Sequence, residues 1–83
     1  SFETFQISSP QPGTVVYLDP DLPPSSRLLP LRVNAESEEW KSSTLKCVNT
    51  PQGYVAKLKP GRHELVVNTK GRRLRTWIQV KAQ

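Results

Sequence analysis

The sequence predicts a small all-β domain, an antiparallel β-sandwich, and three features of its 83 residues support this prediction. Short apolar stretches of alternating polarity recur along the chain, turn residues separate them about every 8–12 residues, and no stretch keeps the 3.6-residue periodicity of an amphipathic helix. Eight prolines and four glycines give the chain many points where a strand must end. We expect one domain over residues 1–83, because a chain of this length has room for a single small core.

The N-terminal half contains three predicted strands separated by proline-rich turns. The first surrounds Ile7 and ends at the stretch SSPQPG. The second spans residues 14–18, whose β-branched and aromatic side chains favour a strand. The third spans residues 29–33 and contains Pro30. Because proline has no amide hydrogen to donate, we expect this strand at the edge of a sheet or with Pro30 facing outward.

The C-terminal half contains the clearest hairpin signals. Residues 54–58 alternate in polarity, and in the turn KPGR that follows, Pro60 presets φ while Gly61 is free to take a positive φ. The next two strands are joined by NTKGRR, a tight hairpin loop in which Gly71 relieves strain. The pattern of residues 36–52 does not define how that middle segment pairs.

These segments amount to about seven strands in two sheets, as in immunoglobulin-like and fibronectin-III-like sandwiches. A small barrel is the alternative architecture. Two sheets packed face to face would bury one continuous apolar core. We predict that this core contains Ile7, Val16, Leu18, Leu29, Leu31, Val33, Leu58, Leu65, Val67, Leu74, Ile78 and Val80.

The charge of the chain is unevenly distributed. Residues 1–56 contain four basic and six acidic side chains, whereas residues 57–83 contain eight basic side chains and one acidic one, Glu64. A basic half indicates an anionic partner, or serves solubility alone. No apolar run approaches the 18 or so residues that cross a membrane. Because the chain begins at Ser1 and contains no methionine, we expect a fragment cut from a larger protein.

The acidic stretch YLDPDLPP raises the question of a metal site. A calcium loop needs a third oxygen ligand, a glycine and a late glutamate, and the sequence after Asp19 and Asp21 supplies none of these at the required spacing. We therefore predict a rigid corner, in which Asp19 and Asp21 accept hydrogen bonds from nearby amides and Pro20 stiffens the chain. We expect no bound metal.

The sequence indicates a domain without catalytic residues. The one histidine, His63, falls on the inward face of its strand, and no pattern sets it beside Cys47 or a serine as an activating base. The chain contains no glycine-rich phosphate loop, no histidine pair for a metal and no nucleophile elbow, so we expect no cofactor. His63 is interpreted as a structural residue and Cys47 as a small apolar filler.

The outward face of the last strand is the best candidate for a binding site. Arginines flank Trp77 there, and neighbouring elements add further cations. A tryptophan beside cations can stack on a sugar ring or a base and bind an anionic polymer. The alternative is that Arg73 or Arg75 covers Trp77 and that the cations only protect the sheet from aggregation. The predicted binding residues are Lys57, Lys59, Arg62, Arg73, Arg75, Trp77 and Lys81.

The run ISSPQPGTVVYLDPDLPPSSRLLPLRV, followed by LKPGRHELVV, resembles the C-terminal domain of bifunctional class A penicillin-binding proteins of the 1C type. Ser9-Pro10, Gly13, residues 18–24 and the hairpin that starts at Pro60 match the pattern of that family. The resemblance covers most of the chain. It implies an accessory β-sandwich at the C-terminus of a periplasmic enzyme that is anchored in the inner membrane, with glycosyltransferase and transpeptidase modules upstream.

The resemblance implies two functions that compete. In the first, the domain is a binding module for peptidoglycan or for a cell-envelope protein, with Trp77 at the contact. In the second, it is a spacer that packs against the transpeptidase module, and its charges have no specific partner. Binding of nucleic acid or of anionic polymers in general explains the basic half as well, although the sequence contains no familiar nucleic-acid motif.

Overall fold

The computed structural model describes residues 6–35 and 37–83, and these residues form an all-β sandwich, which confirms the predicted fold class. Residues 1–5 and Glu36 of the predicted domain lie outside the described residues. A 3-10 turn spans Pro24–Ser26. The described chain contains eight strands: β1 (Ile7–Ser9), β2 (Thr14–Leu18), β3 (Leu28–Val33), β4 (Glu39–Lys41), β5 (Lys46–Thr50), β6 (Gly53–Lys57), β7 (Gly61–Thr69) and β8 (Arg72–Ala82).

The strands form two four-stranded sheets. Sheet 1 has the order β1-β3-β6-β5, and sheet 2 has the order β2-β8-β7-β4. All pairs in sheet 1 are antiparallel, whereas sheet 2 is mixed because β2 runs parallel to β8. The chain therefore changes sheet between β1 and β2, and again between β2 and β3. The proline-rich stretches found in the sequence are the connections that make these crossings.

The β7–β8 hairpin is the longest continuous pairing in the molecule. It extends from the pair Gly61–Val80 to the pair Thr69–Arg72. Its loop consists of Lys70 at φ 43° and Gly71 at φ 81°. Positive φ at both loop residues is the geometry of the two-residue turns that match strand twist. The sequence NTKGRR thus determines the register of the strand that carries Trp77.

The middle segment, whose pairing the sequence left open, divides between the two sheets. β4 pairs with β7 in sheet 2, and β5 forms a hairpin with β6 in sheet 1 through the turn at Pro51 and Gln52. Trp40 on β4 is buried in the core. The switch from one sheet to the other within residues 42–45 explains why no single alternation pattern runs through this segment.

Pro30 lies in a strand with a neighbour on each side, since β3 is between β1 and β6. Its side chain is exposed, so the second of the two predicted arrangements holds. The described β1 residues pair with Arg32 and Val33 only, and the Ser9 hydroxyl donates to the Pro30 carbonyl at 2.8 Å. The described β1 residues therefore need no hydrogen bond from the backbone nitrogen of Pro30.

The core lies between the two sheets as predicted. Seven of the twelve predicted core residues are buried, and the other five (Ile7, Val16, Leu29, Val33 and Leu74) are partly buried against them. The fully buried Leu65, Val67 and Ile78 come from the β7–β8 hairpin, which therefore supplies much of the core. The predicted core omitted three buried hydrophobic residues: Trp40 and Leu45 in the middle segment, and Ala56 on β6.

Candidate functional site

The candidate site lies on the outer face of sheet 2. Along β8, Thr76, Ile78 and Val80 are buried, and the residues between them face solvent. This alternation follows from the two-residue period of a strand. Together with its neighbours on β2 and β7 the outward set forms what we call the Trp77 face, which consists of Val15, Tyr17, Arg62, Arg75, Trp77, Gln79 and Lys81.

Trp77 is held in place from two sides and remains 36% exposed. The Arg62 guanidinium carbon lies over the ring, 4.4 Å from its centroid. Arg62 is one step diagonal to Trp77 across the β7–β8 hairpin, because its direct partner is Gln79. The sequence interpretation named Arg73 or Arg75 as the residue that would cover Trp77. The structure assigns that contact to Arg62, since the hairpin register brings it within reach.

Gly13 provides the second support for Trp77. Its amide donates to the Trp77 carbonyl at 3.0 Å, and a Cβ at this glycine would lie 3.3 Å from Cζ2 of the indole. The ring therefore packs closely over backbone that carries no side chain. The positive φ of Gly13, 82°, also starts β2 in the direction that lets it run beside β8.

Two residues of the face were missed by the sequence interpretation. Val15 is 44% exposed and Tyr17 is 59% exposed, and the parallel register places them beside Gln79 and Lys81. The alternation of Val16 and Leu18 inward already indicated that Val15 and Tyr17 point outward. The missing information was that β2 pairs with β8, a contact between strands that are far apart in the chain.

The predicted cations do not all gather at one place. Arg62, Arg75 and Lys81 belong to the Trp77 face, and Arg73 lies near the hairpin end, where its Nε donates to Asn68 Oδ1 at 3.4 Å. Lys57 is on β6, on the outer side of sheet 1. Lys59 is in the connection that leads from sheet 1 to β7. The structure thus places Lys57 on a different sheet from Arg62, Arg75 and Lys81.

The Trp77 face is cationic. Among residues 6–35 and 37–83, no carboxylate forms an ion pair with Arg62, Arg75 or Lys81. Glu64 is the directly paired neighbour of Trp77 and is the acidic residue beside this set. Among the described residues, an ion pair joins Lys41 to Glu39 at 3.1 Å on β4, and both side chains are largely exposed. The cations of the face therefore remain available to an anionic ligand.

His63 is buried and is bonded through both ring nitrogens. Its Nε2 lies 2.7 Å from the Lys59 carbonyl, and its Nδ1 lies 2.7 Å from the Thr44 hydroxyl. A carbonyl only accepts, so Nε2 carries the hydrogen, and in the neutral ring Nδ1 accepts from Thr44. The ring thereby joins the β6–β7 connection to the segment before β5. This arrangement gives His63 a structural role.

Cys47 lies on β5 and packs, partly buried, against the core. Burial removes water from the sulfur and raises the pKa of the Cys47 thiol above its ordinary value. The thiolate is the nucleophilic form, so this environment suppresses reactivity at neutral pH. The neutral thiol therefore suits the filler role that the sequence indicated.

We expect the native chain at pH 8 to react more slowly with Ellman's reagent than the chain unfolded in urea at the same pH. Because the thiol pKa is higher in the folded state, the unfolded chain ionises first as pH rises, and the free energy of unfolding falls in that range. A Cys47→Ala variant should lack this fall when unfolding is followed from pH 7 to pH 10. Equal labelling rates in the native and unfolded chain would contradict the assignment.

The stretch around Asp19 forms a corner built on backbone hydrogen bonds. Asp19 Oδ1 accepts from the Asp21 amide at 2.9 Å, and the Asp19 carbonyl accepts from the Leu22 amide at 3.1 Å. Both bonds are local and tighten the turn that includes Pro20. In the part of the chain that the structure describes, no group of three or more His, Cys, Asp or Glu side chains is placed to hold a metal ion.

The described residues include no helix of the length and apolarity needed to cross a membrane. Comparison with protein families finds no family that matches the chain, and comparisons with curated proteins and with solved structures find no match either.

Proposed function

We propose that the chain is a non-catalytic accessory domain of a periplasmic peptidoglycan synthase and that it binds an anionic glycan polymer through the Trp77 face. The enzyme would be anchored in the inner membrane and would carry its glycosyltransferase and transpeptidase activities in other modules. The sequence resemblance to class A penicillin-binding proteins of the 1C type supports this context. The chemistry of the Trp77 face supports the binding role.

One observation carries the proposal: β2 pairs with β8 and places Tyr17 beside Lys81, while the β7–β8 hairpin places Arg62 over Trp77, so two aromatic rings with neighbouring cations share one sheet surface. Aromatic rings pack against sugar rings, and lysine and arginine pair with carboxylates such as those of stem peptides. A polymer laid along β2 and β8 would meet both kinds of group in succession. An open sheet surface without a deep cleft suits an extended ligand better than a small molecule.

Tyr17 and Trp77 differ in how accessible their rings are to a ligand. Arg62 already lies over the Trp77 ring, so a sugar that stacks on that face must displace the guanidinium. Tyr17 is the more exposed of the two and has no ring contact among the described residues. We therefore assign the first stacking contact to Tyr17, and to Trp77 a contact through the ring edge or after Arg62 moves.

Co-sedimentation with purified peptidoglycan sacculi at low and at physiological salt tests the proposal. We expect binding at physiological salt, and Tyr17→Ala should weaken it at least about fivefold, since an aromatic stacking contact contributes roughly 1–3 kcal/mol. Lys81→Gln should weaken binding and reduce its salt dependence. Lys57→Gln removes the same charge from the other sheet and should leave binding unchanged.

Two other outcomes would assign a different function. Equal binding to sacculi and to duplex DNA that disappears at physiological salt would identify general attraction to polyanions. The absence of binding at either salt would favour a spacer that packs against the transpeptidase module. The observation that favours the spacer is the contact between Arg62 and Trp77, because an indole shielded by its own chain needs no ligand.

A further inference from the structure

The outer face of sheet 1 carries an apolar row with cations at both ends. The row crosses strands β3, β6 and β5. Their register places Val55 between Pro30 and Val48, and Lys57 between Leu28 and Lys46. Leu28 is 43% exposed, Pro30 is exposed, and the two valines are half-buried. We call this surface the Lys46–Lys57 face, and it consists of Leu28, Pro30, Arg32, Lys46, Val48, Val55 and Lys57.

Lys46 and Lys57 are direct partners across the β5–β6 hairpin. Like charges that face each other on neighbouring strands are destabilising. Among residues 6–35 and 37–83, no carboxylate forms an ion pair with either lysine. At the other end of the row, the Arg32 guanidinium extends over Gly53, where a Cβ would lie 3.6 Å from its Nη1. Among the described residues, two lysines without an ion-pair partner thus lie at one end of an exposed apolar surface, and a guanidinium lies at the other.

We propose that the Lys46–Lys57 face docks a polypeptide segment that presents apolar side chains flanked by carboxylates. A carboxylate placed between Lys46 and Lys57 would remove their repulsion, which gives an acidic partner an advantage that a neutral one lacks. A second copy of the chain is disfavoured, because this face would oppose its own cations. A glycan or nucleic acid offers no aliphatic side chains to cover Leu28, Pro30 and Val55.

This proposal goes beyond the proposed binding of a polymer, because the two faces belong to different sheets. The Trp77 face combines aromatic rings with cations, whereas the Lys46–Lys57 face combines aliphatic side chains with cations. The domain would hold a polymer with sheet 2 and a polypeptide with sheet 1 at the same time. Substitutions on one face should therefore leave the other function unchanged.

Two synthetic peptides of equal length test the proposal by NMR titration of the 15N-labelled chain. Both contain the same central leucine, valine and proline residues, and glutamates flank them in one peptide and lysines in the other. We expect the acidic peptide to shift the amide signals of the non-proline residues in 28–32, 46–48 and 55–57 and to leave those of β2 and β8 unchanged. The basic peptide should produce no such shifts.

Matched variants separate the charged and the apolar part of the face. Lys46→Glu should weaken binding of the acidic peptide about five- to tenfold, whereas Lys41→Glu makes the same charge change on sheet 2 and should have little effect. Leu28→Ser should also weaken binding, and Val15→Ser, at a side chain of nearly equal exposure, should not. All four variants change exposed residues, and thermal unfolding would verify that each remains folded.

Several results would overturn the proposal. These are equal binding of the two peptides, shifts confined to the Trp77 face, or no shifts at millimolar concentrations of the acidic peptide. Vesicles of phosphatidylglycerol and phosphatidylcholine provide a further arm, because binding to them through residues 28–32 and 46–48 would identify a membrane surface instead. Lys46→Glu should bind sacculi like the unmodified chain, so that failure here and failure of the proposed function remain distinct.

Discussion

His63→Leu should lower the free energy of unfolding by about 2–3 kcal/mol, because it removes both hydrogen bonds that the buried His63 ring makes. The Lys59 carbonyl and the Thr44 hydroxyl each lose a bond of 2.7 Å, while leucine adds only apolar contact. For a domain of this size the midpoint of thermal unfolding should fall by roughly 10–20 °C. Urea unfolding followed by circular dichroism measures the change.

A double-mutant cycle of His63→Leu with Thr44→Val shows whether the hydrogen bond from Thr44 to His63 contributes to the free energy of unfolding. Thr44→Val alone should cost about 1 kcal/mol, and in the His63→Leu background it should cost clearly less, because the shared bond is already gone. Additive effects would mean that the bond does not contribute in solution. A His63→Leu variant as stable as the unmodified chain would contradict the structural role of this histidine altogether.

The fold class could be predicted because the determining signals are local. Alternation of polarity identified the strands, and glycine and proline identified their ends, so the twelve core residues follow from the inward half of each strand. The β7–β8 hairpin was the most predictable part, because two loop residues determine the whole register. Trp40 and Leu45 were missed where the chain changes sheets within four residues, since no period survives such a crossing.

The candidate site was predicted in part, for a related reason. The outward position of Trp77 follows from the period of one strand, and the position of Arg62 follows from one hairpin. Tyr17 joins the same surface only because β2 pairs with β8, and residues 17 and 81 are far apart in sequence. Lys57 was included as a cation from an element next to the last strand, yet the crossing at Lys59 and Pro60 puts it on the other sheet.

Gly13→Ala should lower the free energy of unfolding by about 2–3 kcal/mol, for two independent reasons. An alanine at φ 82° has a conformation that costs about 1–2 kcal/mol for any residue with a Cβ. The new methyl group would also lie 3.3 Å from Cζ2 of Trp77, so the indole must shift. That shift would loosen the contact with Arg62 and alter the Trp77 face as well as the stability.

Gly71→Ala is the matched control for the backbone contribution. Gly71 has nearly the same φ, 81°, and a Cβ there would meet no atom within 4 Å. Its substitution should therefore cost only the conformational part, about 1–2 kcal/mol. The difference between the two variants measures the contact between position 13 and the indole. Equal costs would contradict a close approach of Trp77 to the backbone.

A Trp77→Ala background tests whether the indole causes the difference in stability between Gly13→Ala and Gly71→Ala. In a Trp77→Ala chain the methyl group at position 13 has no ring to displace, so Gly13→Ala should cost as much as Gly71→Ala. The excess in the unmodified chain then equals the coupling between Gly13 and Trp77. If the excess persists without the ring, it arises from the turn that starts β2. The glycine would then direct β2 toward β8 without positioning Trp77.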